Sequence, residues 1–192
     1  MRKKTKDGLL TGYLRKARFR QAIPFIKGKT VLDIGCDKGQ IIPFLPSETR
    51  YIGIDSDRQS IEMAKKTYPN IEFLNQEITC DCLQKLNLEN VDTILLLAVI
   101  EHMEKPFQII ERLGLILKRG GHMIITSPLK QSHGILTMLS WIRILRNDKH
   151  EHISYIDHGT ILDFSKVTRF RVKEYRKFQL GLNQLWVLER MR

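Results

Sequence analysis

Cysteine is scarce in this chain, and long apolar runs are missing from it. The three cysteines, Cys36, Cys80 and Cys82, are too few for a disulfide framework, so we expect a reducing, cytoplasmic compartment. The single residue between Cys80 and Cys82, without a second cysteine pair, argues against a zinc site, and no metal is expected. No apolar run approaches the roughly 20 residues that cross a bilayer. No signal-peptide segment follows the basic residues 1–8.

The chain is also too short for two well-cored domains, and acidic residues are rare at both of its ends. Its 192 residues suit one domain of ordinary globular composition, with 42% apolar and 28% charged residues. The net charge is +9 over residues 1–29, −4 over residues 30–129 and +6 over residues 130–192. Basic flanks can attract nucleic acid, anionic lipid or an acidic small substrate, and the alternative is a solvated surface without a partner.

Helix and strand patterns alternate along most of the chain, which predicts a parallel sheet with helices on both faces. The predicted strands are residues 30–34, 50–54, 71–74, 91–98, 122–126, 170–178 and 184–189. The last two are split by Gly181, and we expect them to form an antiparallel pair at the sheet edge. The predicted helices are a basic amphipathic one at 13–26, one from Gly39 that Pro43 and Pro46 cut short, and three more at 57–68, 106–118 and 157–166.

A glycine turn follows the first predicted strand in the segment VLDIGCDKG, residues 31–39. This layout is typical of a nucleotide-binding unit whose ligand lies beyond the carboxyl ends of the strands, and the alternative is a turn without a ligand. Gly35 permits a tight turn, and Gly39 permits a close approach of helix and strand. Asp55 ends the second strand 20 residues after Gly35, where a carboxylate can accept hydrogen bonds from a ribose diol.

The charges in this turn indicate which nucleotide it suits. A dinucleotide site has a middle glycine where this chain has Asp37. A pyrophosphate needs N–H donors and a positive helix end, and Asp33 and Asp37 would both repel it. S-Adenosylmethionine (SAM) has a ribose but no phosphate, and it carries a sulfonium and an ammonium group. The carboxylates therefore favour SAM over NAD, and aspartate tolerates the positive φ that this position requires better than most residues do.

Several motifs, in order, resemble those of the class I SAM-dependent methyltransferases, especially the small-molecule branch that includes quinone-biosynthesis O-methyltransferases. The matching segments are VLDIGCDKG, YIGIDSD at 51–57, FLNQEI at 73–78, VDTILLLAVIEHMEKP at 91–106 and LKRGGHMIITSP at 117–128. The resemblance runs from about Thr30 to Pro128. It implies a Rossmann-like α/β fold with a seven-stranded, mostly parallel sheet and an antiparallel edge strand. Asp37 and Glu77 depart from the family, which has glycine and often aspartate there.

The resemblance also implies how SAM would lie, with S-adenosylhomocysteine (SAH) as the product. The methionine end would lie near the glycine turn, the ribose at Asp55, the adenine beside Glu77 and Ile78, and the sulfonium above Leu97. The expected cofactor contacts are Asp33, Gly35, Cys36, Gly39, Asp55, Ser56, Glu77, Ile78 and Leu97. We expect one methyltransferase domain over residues 1–192, in which 1–29 form a basic helix, 30–128 the SAM-binding core, and 129–192 an acceptor-side lid with the C-terminal strands.

Methyl transfer from a sulfonium needs mainly positioning and exclusion of water, because the leaving group is already good. For a hydroxyl acceptor, a general base adds about 10² to 10⁴-fold. The candidate bases are Glu101 and His102 after the fourth strand, and His150 and His152 before the last helix. Glu101 and His102 could instead cap the following loop. The other two histidines could face solvent or hold a divalent metal.

Residues 134–146 bear on the acceptor, because they contain eight apolar residues and no acid. They could form a buried or dimer-contact helix, a lid over an apolar acceptor, or a helix on a membrane surface. The last two indicate a lipid-linked acceptor, and the third a peripheral contact with the anionic inner surface of a membrane. We expect a SAM-dependent enzyme that methylates a small or lipid-linked acceptor on oxygen.

Two other functions stay open at this point. An RNA methyltransferase is supported mainly by the charge. Residues 97–100 lack the Asn/Asp-Pro-Pro-aromatic run of enzymes that methylate exocyclic base amines, and the flanks lack a stacking platform, so nucleic acid is not the expected partner. A catalytically silent partner protein with the same fold is the second alternative. The glycine turn and Asp55 argue against it.

Overall fold

The computed structural model describes residues 11–85, 88–129 and 156–191. Within these residues the strands are β1 (Thr30–Ile34), β2 (Arg50–Asp55), β3 (Glu72–Asn75), β4 (Val91–Leu97), β5 (Leu117–Pro128), β6 (Phe170–Phe178) and β7 (Asn183–Arg190). The α-helices are α1 (Thr11–Ala22), α2 (Arg58–Thr67), α3 (Cys80–Lys85), α4 (Pro106–Ile116) and α5 (His158–Val167). None of the helices in these ranges is long and apolar enough to span a bilayer.

The strands form one seven-stranded sheet in the order β3-β2-β1-β4-β5-β7-β6. Strands β1 to β5 pair in parallel, and β7 pairs antiparallel with both β5 and β6. The sheet confirms the predicted α/β class, Rossmann-like and mostly parallel with an antiparallel edge strand. Because the parallel strands point the same way, their carboxyl ends meet along one edge of the sheet, where ligands bind in such folds.

The last strand lies inside the sheet and not at its edge. Residues 183–188 of β7 are all buried, whereas β6 exposes Arg171, Lys173 and Lys177. A strand that is covered on both faces gains most from lying between two neighbours. Charged side chains, in contrast, protect an edge strand from pairing with other chains. The predicted antiparallel pair is confirmed, and its order within the sheet follows from this difference.

Hydrophobic cores cover both faces of the sheet. Leu32 and Ile34 of β1 face the core beneath α3, α4 and α5, and Val31 faces the core beneath α1 and α2. This alternation follows from the two-residue period of a strand. The start of α2 is capped by Asp57, whose side chain accepts a hydrogen bond from the Gln59 backbone N–H.

Two predicted helices near the N-terminus are shorter than expected. The first ends at Ala22 and continues as a 3₁₀ turn around Pro24, and its apolar side chains do not gather on one face. The predicted helix from Gly39 is wrong as an α-helix, because only the 3₁₀ turn Ile42–Phe44 forms there. Pro43 removes a backbone donor within that turn and Pro46 prevents its extension.

Further differences concern the second half of the chain. The predicted helix 106–118 ends at Ile116, and β5 begins directly at Leu117 instead of at residue 122. The sequence patterns missed α3. The predicted helix at 134–146 and the candidate bases His150 and His152 lie outside the described residues.

Candidate functional site

A cavity of about 720 Å³ opens at the carboxyl ends of β1, β2 and β4. Its volume lies within the range of small-molecule sites. The walls come from the ends of these three strands, from the segment after β3 and from the start of α4. The lining residues are Ile34, Gly35, Ile54, Asp55, Ser56, Gln76, Glu77, Ile78, Thr79, Cys80, Asp81, Val99, His102, Met103, Glu104, Lys105, Gln108 and Ile109.

The turn after β1 requires glycine at its first position. Gly35 has a φ of 72°, and its N–H donates a hydrogen bond of 2.8 Å to the Ile54 carbonyl. A Cβ atom at this residue would lie 2.3 Å from Val99 Cγ2, so any other side chain would collide with the loop after β4. Asp37 follows with a φ of 49°, which is the left-handed conformation expected for it.

The Asp55 carboxylate lies at the floor of the cavity and joins the turns after β1 and β2. Its Oδ2 accepts a hydrogen bond from the Asp37 N–H and its Oδ1 accepts one from the Asp57 N–H, both at 2.8 Å. Each carboxylate oxygen has a second lone pair, so both can still accept from a ligand hydroxyl. The carboxylate is therefore held in place before any ligand arrives.

A second layer of polar contacts supports these turns. The Ser60 hydroxyl on α2 lies 2.7 Å from Asp37 Oδ1 and 2.8 Å from Asp57 Oδ2, and it can donate to one of them at a time. Arg15 on α1 approaches Asp37 to 3.8 Å and donates a hydrogen bond to Gln40 Oε1. The polar groups of the turns are thus tied to both neighbouring helices.

Five of the nine predicted cofactor residues come together around the cavity. They are Gly35, Asp55, Ser56, Glu77 and Ile78. The other four, Asp33, Cys36, Gly39 and Leu97, do not line it. Asp33, Cys36 and Leu97 lie on the α1 side of the sheet, behind the turn, and Gly39 is buried within the turn. Their direct contacts with a cofactor remain predictions.

Asp33 is a buried carboxyl group with one strong partner. Only 5% of the residue is exposed, and the Tyr51 hydroxyl donates a hydrogen bond of 2.6 Å to its Oδ2. Burial raises the pKa of Asp33 to about 7, although the bond from Tyr51 acts in the opposite direction. Burial also raises the pKa of the neighbouring Cys36 thiol well above its usual range. The side chains of Asp33, Tyr51 and Cys36 therefore support the turn from the α1 side of the sheet.

The loop after β4 forms the other wall of the cavity and contains two of the candidate bases. Ala98 has a φ of 59° and donates its N–H to the Thr126 carbonyl at 3.0 Å. A non-glycine residue in that conformation costs about 1–3 kcal/mol, and such residues cluster at functional sites. His102 is exposed and lines the cavity, whereas Glu101 is only 2% exposed. Burial raises the pKa of Glu101 to about 7, and the Arg18 charge opposes that shift.

Two arginines of α1 near this site were not predicted from the sequence: Arg15 approaches Asp37, and the charge of Arg18 acts on Glu101. A signal for them was present, because Arg15, Arg18, Phe19 and Ala22 follow the three-and-four spacing of one helix face. Phe19 and Ala22 are buried, and both arginines are half-buried, whereas Lys16 and Arg20 are exposed. Basic residues on the half-buried face of a helix are candidates for contacts within the fold, unlike those on the solvated face. Across the described ranges, no group of three or more His, Cys, Asp or Glu side chains could hold a metal ion.

Comparison with known proteins gives consistent matches. The sequence profile described as a methyltransferase domain matches residues 10–164. The mitochondrial ubiquinone biosynthesis O-methyltransferase of Dictyostelium discoideum is 31% identical over 130 residues, which cover 61% of this chain and 39% of that protein. Another such enzyme, from Vibrio cholerae, is 22% identical over 144 residues, which cover 70% of this chain and 58% of that protein. The chain thus spans well under two thirds of the length of these relatives.

Solved structures agree with the fold. A SAM-dependent methyltransferase from Archaeoglobus fulgidus superposes with a TM-score of 0.71 at 18% identity, over 93% of this chain and 94% of that one. The N-methyltransferase NodS from Bradyrhizobium japonicum, in complex with SAH, superposes with a TM-score of 0.65 at 17% identity, over 94% of this chain and 87% of that one. At these identities the structures show a common fold.

Proposed function

The chain belongs to the methyltransferase domain family, and from this premise we propose that it transfers the methyl group of SAM to an oxygen atom of a small or lipid-linked acceptor. The observation that carries the proposal is the Asp55 carboxylate, held at the floor of the cavity with lone pairs free for a ribose diol. A cofactor with a ribose and a net positive charge suits this position. A pyrophosphate beside Asp37 and Asp55 does not.

The cavity has room for SAM, and its lining residues suggest where each part of the cofactor would bind. We assign the ribose to Asp55 and Ser56, the adenine to Glu77 and Ile78, and the methionine end to the turn at Gly35. Asp33, Cys36 and Leu97 would hold that turn from the α1 side of the sheet, and Gly39 would hold it from within. In this assignment residues 30–128 bind the cofactor, and residues 129–192 contribute to the acceptor site.

Oxygen as the methylated atom is supported by the ubiquinone biosynthesis O-methyltransferases among the relatives. Transfer to a hydroxyl group forms a bond between the acceptor oxygen and the methyl carbon, and the carbon–sulfur electrons return to sulfur. The hydroxyl proton must then move to a base. Glu101 and His102 are the described candidates, and His150 and His152 remain candidates from the sequence. The basic ends of the chain would attract the protein to an anionic membrane surface that contains a lipid-linked acceptor.

Calorimetry with SAM, SAH and NAD tests the cofactor. We expect SAM and SAH to bind and NAD not to bind. Asp55→Ala should weaken SAM binding at least tenfold, since loss of a charged hydrogen-bond acceptor costs about 1.5–3 kcal/mol. Glu62→Ala, which removes an exposed carboxylate of α2 outside the cavity, is the matched control and should bind SAM normally. Binding of NAD without SAM, or an Asp55→Ala affinity within twofold of wild type, would contradict the assignment.

The acceptor requires a separate search. Cell extracts and lipid fractions can be incubated with the protein and methyl-labelled SAM, and the labelled products identified by mass spectrometry. We expect a labelled methyl ether that is absent when the Asp55→Ala variant replaces the wild type. Label found only on nitrogen, or only in RNA, would refute the proposed acceptor class.

A further inference from the structure

An asparagine at the end of β3 joins two of the segments that form the cavity. The Asn75 Nδ2 atom lies 3.0 Å from the Asp55 carbonyl oxygen and 3.0 Å from the Ser56 carbonyl oxygen. Both partners are acceptors, so the nitrogen end of the amide must face them, and its two hydrogens can serve one carbonyl each. Gln76, the next residue along the chain, lines the cavity, and Asn75 does not. The Asn75 side chain therefore supports the cavity from outside it.

The pairing of β2 with β3 brings Asn75 to this place. Asn75 is the register partner of Asp55 in the parallel ladder, and the Gln76 N–H donates a hydrogen bond of 2.9 Å to the Asp55 carbonyl. Phe73, two residues earlier, is buried, and a slip by one residue would expose it, so the short strand keeps this register. The Asp55 carbonyl thus accepts two hydrogen bonds from the end of β3.

The bond to Ser56 acts on the Asp55 carboxylate through one peptide group. The Ser56 carbonyl and the Asp57 N–H belong to the same peptide group, which is planar and rigid. At one end of this group the carbonyl accepts a hydrogen bond from Asn75, and at the other end the N–H donates one of 2.8 Å to Asp55 Oδ1. Because the group is rigid, an atom that fixes the carbonyl also fixes the direction of the N–H.

The orientation of the Asp55 carboxylate depends on two backbone donors. The Asp37 N–H holds Oδ2 and the Asp57 N–H holds Oδ1, so together they fix the plane of the carboxylate. The torsion that turns this plane has no sharp preference of its own. If the Ser56–Asp57 peptide group turns away, only the donor on Oδ2 remains, and the carboxylate gains freedom to rotate.

We propose that Asn75 is a positioning residue for SAM, which holds the Ser56–Asp57 peptide group so that Asp55 presents both carboxylate oxygens to the ribose diol. This inference rests on the proposed function. Asn75 does not touch the cofactor in this arrangement, and it acts by preorganisation, which lowers the ordering cost of binding. Its contribution to affinity therefore exists only while the Asp55 carboxylate is present.

A double-mutant cycle on the full chain, with SAH affinity measured by calorimetry, tests this dependence. Asn75→Ala should weaken SAH binding about fivefold, as the loss of one neutral hydrogen bond does. The same substitution in the Asp55→Ala background should change the affinity less than about twofold, because the group on which Asn75 acts is gone. Glu72→Ala, which removes an exposed carboxylate of β3 outside the cavity, is the matched control and should bind SAH as wild type does.

Amide hydrogen exchange at Asp57 gives a second measurement, which needs no ligand. In the free protein, Asn75→Ala should speed the exchange of the Asp57 N–H about fivefold or more, because that N–H is held only while its peptide group is fixed. Glu72→Ala should leave this exchange rate unchanged. Asn75 is exposed, so its substitution leaves both hydrophobic cores in place, and thermal unfolding of every variant verifies this.

Three results would overturn the inference while normal SAH binding by wild type leaves the proposed function standing. They are equal SAH affinity in wild type and Asn75→Ala, an effect of Asn75→Ala that persists in full in the Asp55→Ala background, and an unchanged exchange rate at Asp57. The second result would mean that Asn75 acts on the cofactor by another route. If wild type binds neither SAM nor SAH, the proposed function itself fails, and the exchange rate at Asp57 still decides whether Asn75 holds the peptide group.

Discussion

The turns after β1 and β2 and the loop after β4 face the same cavity, but they differ in how their polar groups are satisfied. On the first side, Asp55, Asp37 and Ser60 bond one another or the backbone. On the second side, Glu101 and Thr126 each leave a buried atom without a partner in the described residues. The polar groups of the first region are satisfied within the fold, and two buried polar atoms of the second region are not.

This difference has an energetic meaning. A site whose groups are already in place loses little conformational freedom on binding, so more of the contact energy becomes affinity. A site with unsatisfied buried groups rejects any ligand that leaves them unpaired. In the proposed function, the first region is the one that supplies affinity for the cofactor.

The largest effect should come from the residue at which the two regions touch. Gly35→Ala places a methyl group 2.3 Å from Val99 Cγ2 at a φ of 72°. Strain and overpacking together should cost about 2–4 kcal/mol of unfolding free energy, measured by urea denaturation. Adding Val99→Ala should recover the overpacking part and leave the strain.

Gly12→Ala is the control for this change. Nothing lies within 4 Å of a Cβ atom at Gly12, and the residue is in α1. It should stabilise the protein by up to about 1 kcal/mol, because alanine loses less freedom in a helix. A loss of less than about 1 kcal/mol in Gly35→Ala would show that the two regions are not in rigid contact.

The second prediction concerns two buried carboxyl groups, Asp33 and Glu101, one in each region. Burial raises the pKa of each to about 7. The folded protein holds these protons up to about pH 7, while the unfolded chain releases them near pH 4. Their contribution to stability is therefore complete at low pH and is lost as the pH rises towards 7. Between pH 5 and pH 8, the unfolding free energy of Asp33→Asn should therefore rise by about 1–3 kcal/mol relative to that of wild type.

Urea denaturation at a series of pH values measures this difference. The unfolding free energy of Glu101→Gln should also rise relative to that of wild type as the pH increases. Tyr51→Phe should strengthen the pH dependence of Asp33, because it removes the donor that stabilises the ionised form. A difference between Asp33→Asn and wild type that stays constant with pH would mean that Asp33 ionises normally in the folded protein.

The smallest effect gives the most direct contrast between the regions. Ser60→Ala removes a hydroxyl that lies within hydrogen-bond distance of Asp37 and Asp57, and it should cost about 1 kcal/mol. Thr126→Val replaces an unpartnered buried hydroxyl by a methyl group of similar size, and it should be neutral or stabilising by about 1 kcal/mol. Thermal and urea unfolding both report the change. Equal destabilisation by the two substitutions would remove the contrast.

Much of the cofactor region was predictable from the sequence. β1 and β2 begin at the predicted residues, Asp57 caps α2, and Asp37 adopts a positive φ. These features depend on neighbours within a few residues: a short apolar run, a glycine turn and a capping side chain. The spacing between Gly35 and Asp55 could be used for the same reason, since it covers the turn after β1, one 3₁₀ turn and β2.

The surroundings of the loop after β4 were less predictable, because their contacts join distant segments. Arg18 and Glu101 are 83 residues apart in the sequence, and the pairing of β7 with β5 joins residues 183–189 to residues 122–128. Neither local propensity nor spacing contains that information. Burial of Glu101 and the change of its pKa also depend on what packs over it, which a sequence pattern cannot show.

The sequence by itself determined the alternation of strands and helices, the glycine turn, and the carboxylate that ends the second strand. Local sterics and hydrogen bonding decide these features within a few residues. Only the tertiary structure decided that β7 lies inside the sheet, that Asp33 faces away from the cavity, and that the charge of Arg18 acts on the buried Glu101. The reason is physical: desolvation and long-range electrostatics depend on the whole set of groups that surround a side chain, and folding alone brings those groups together.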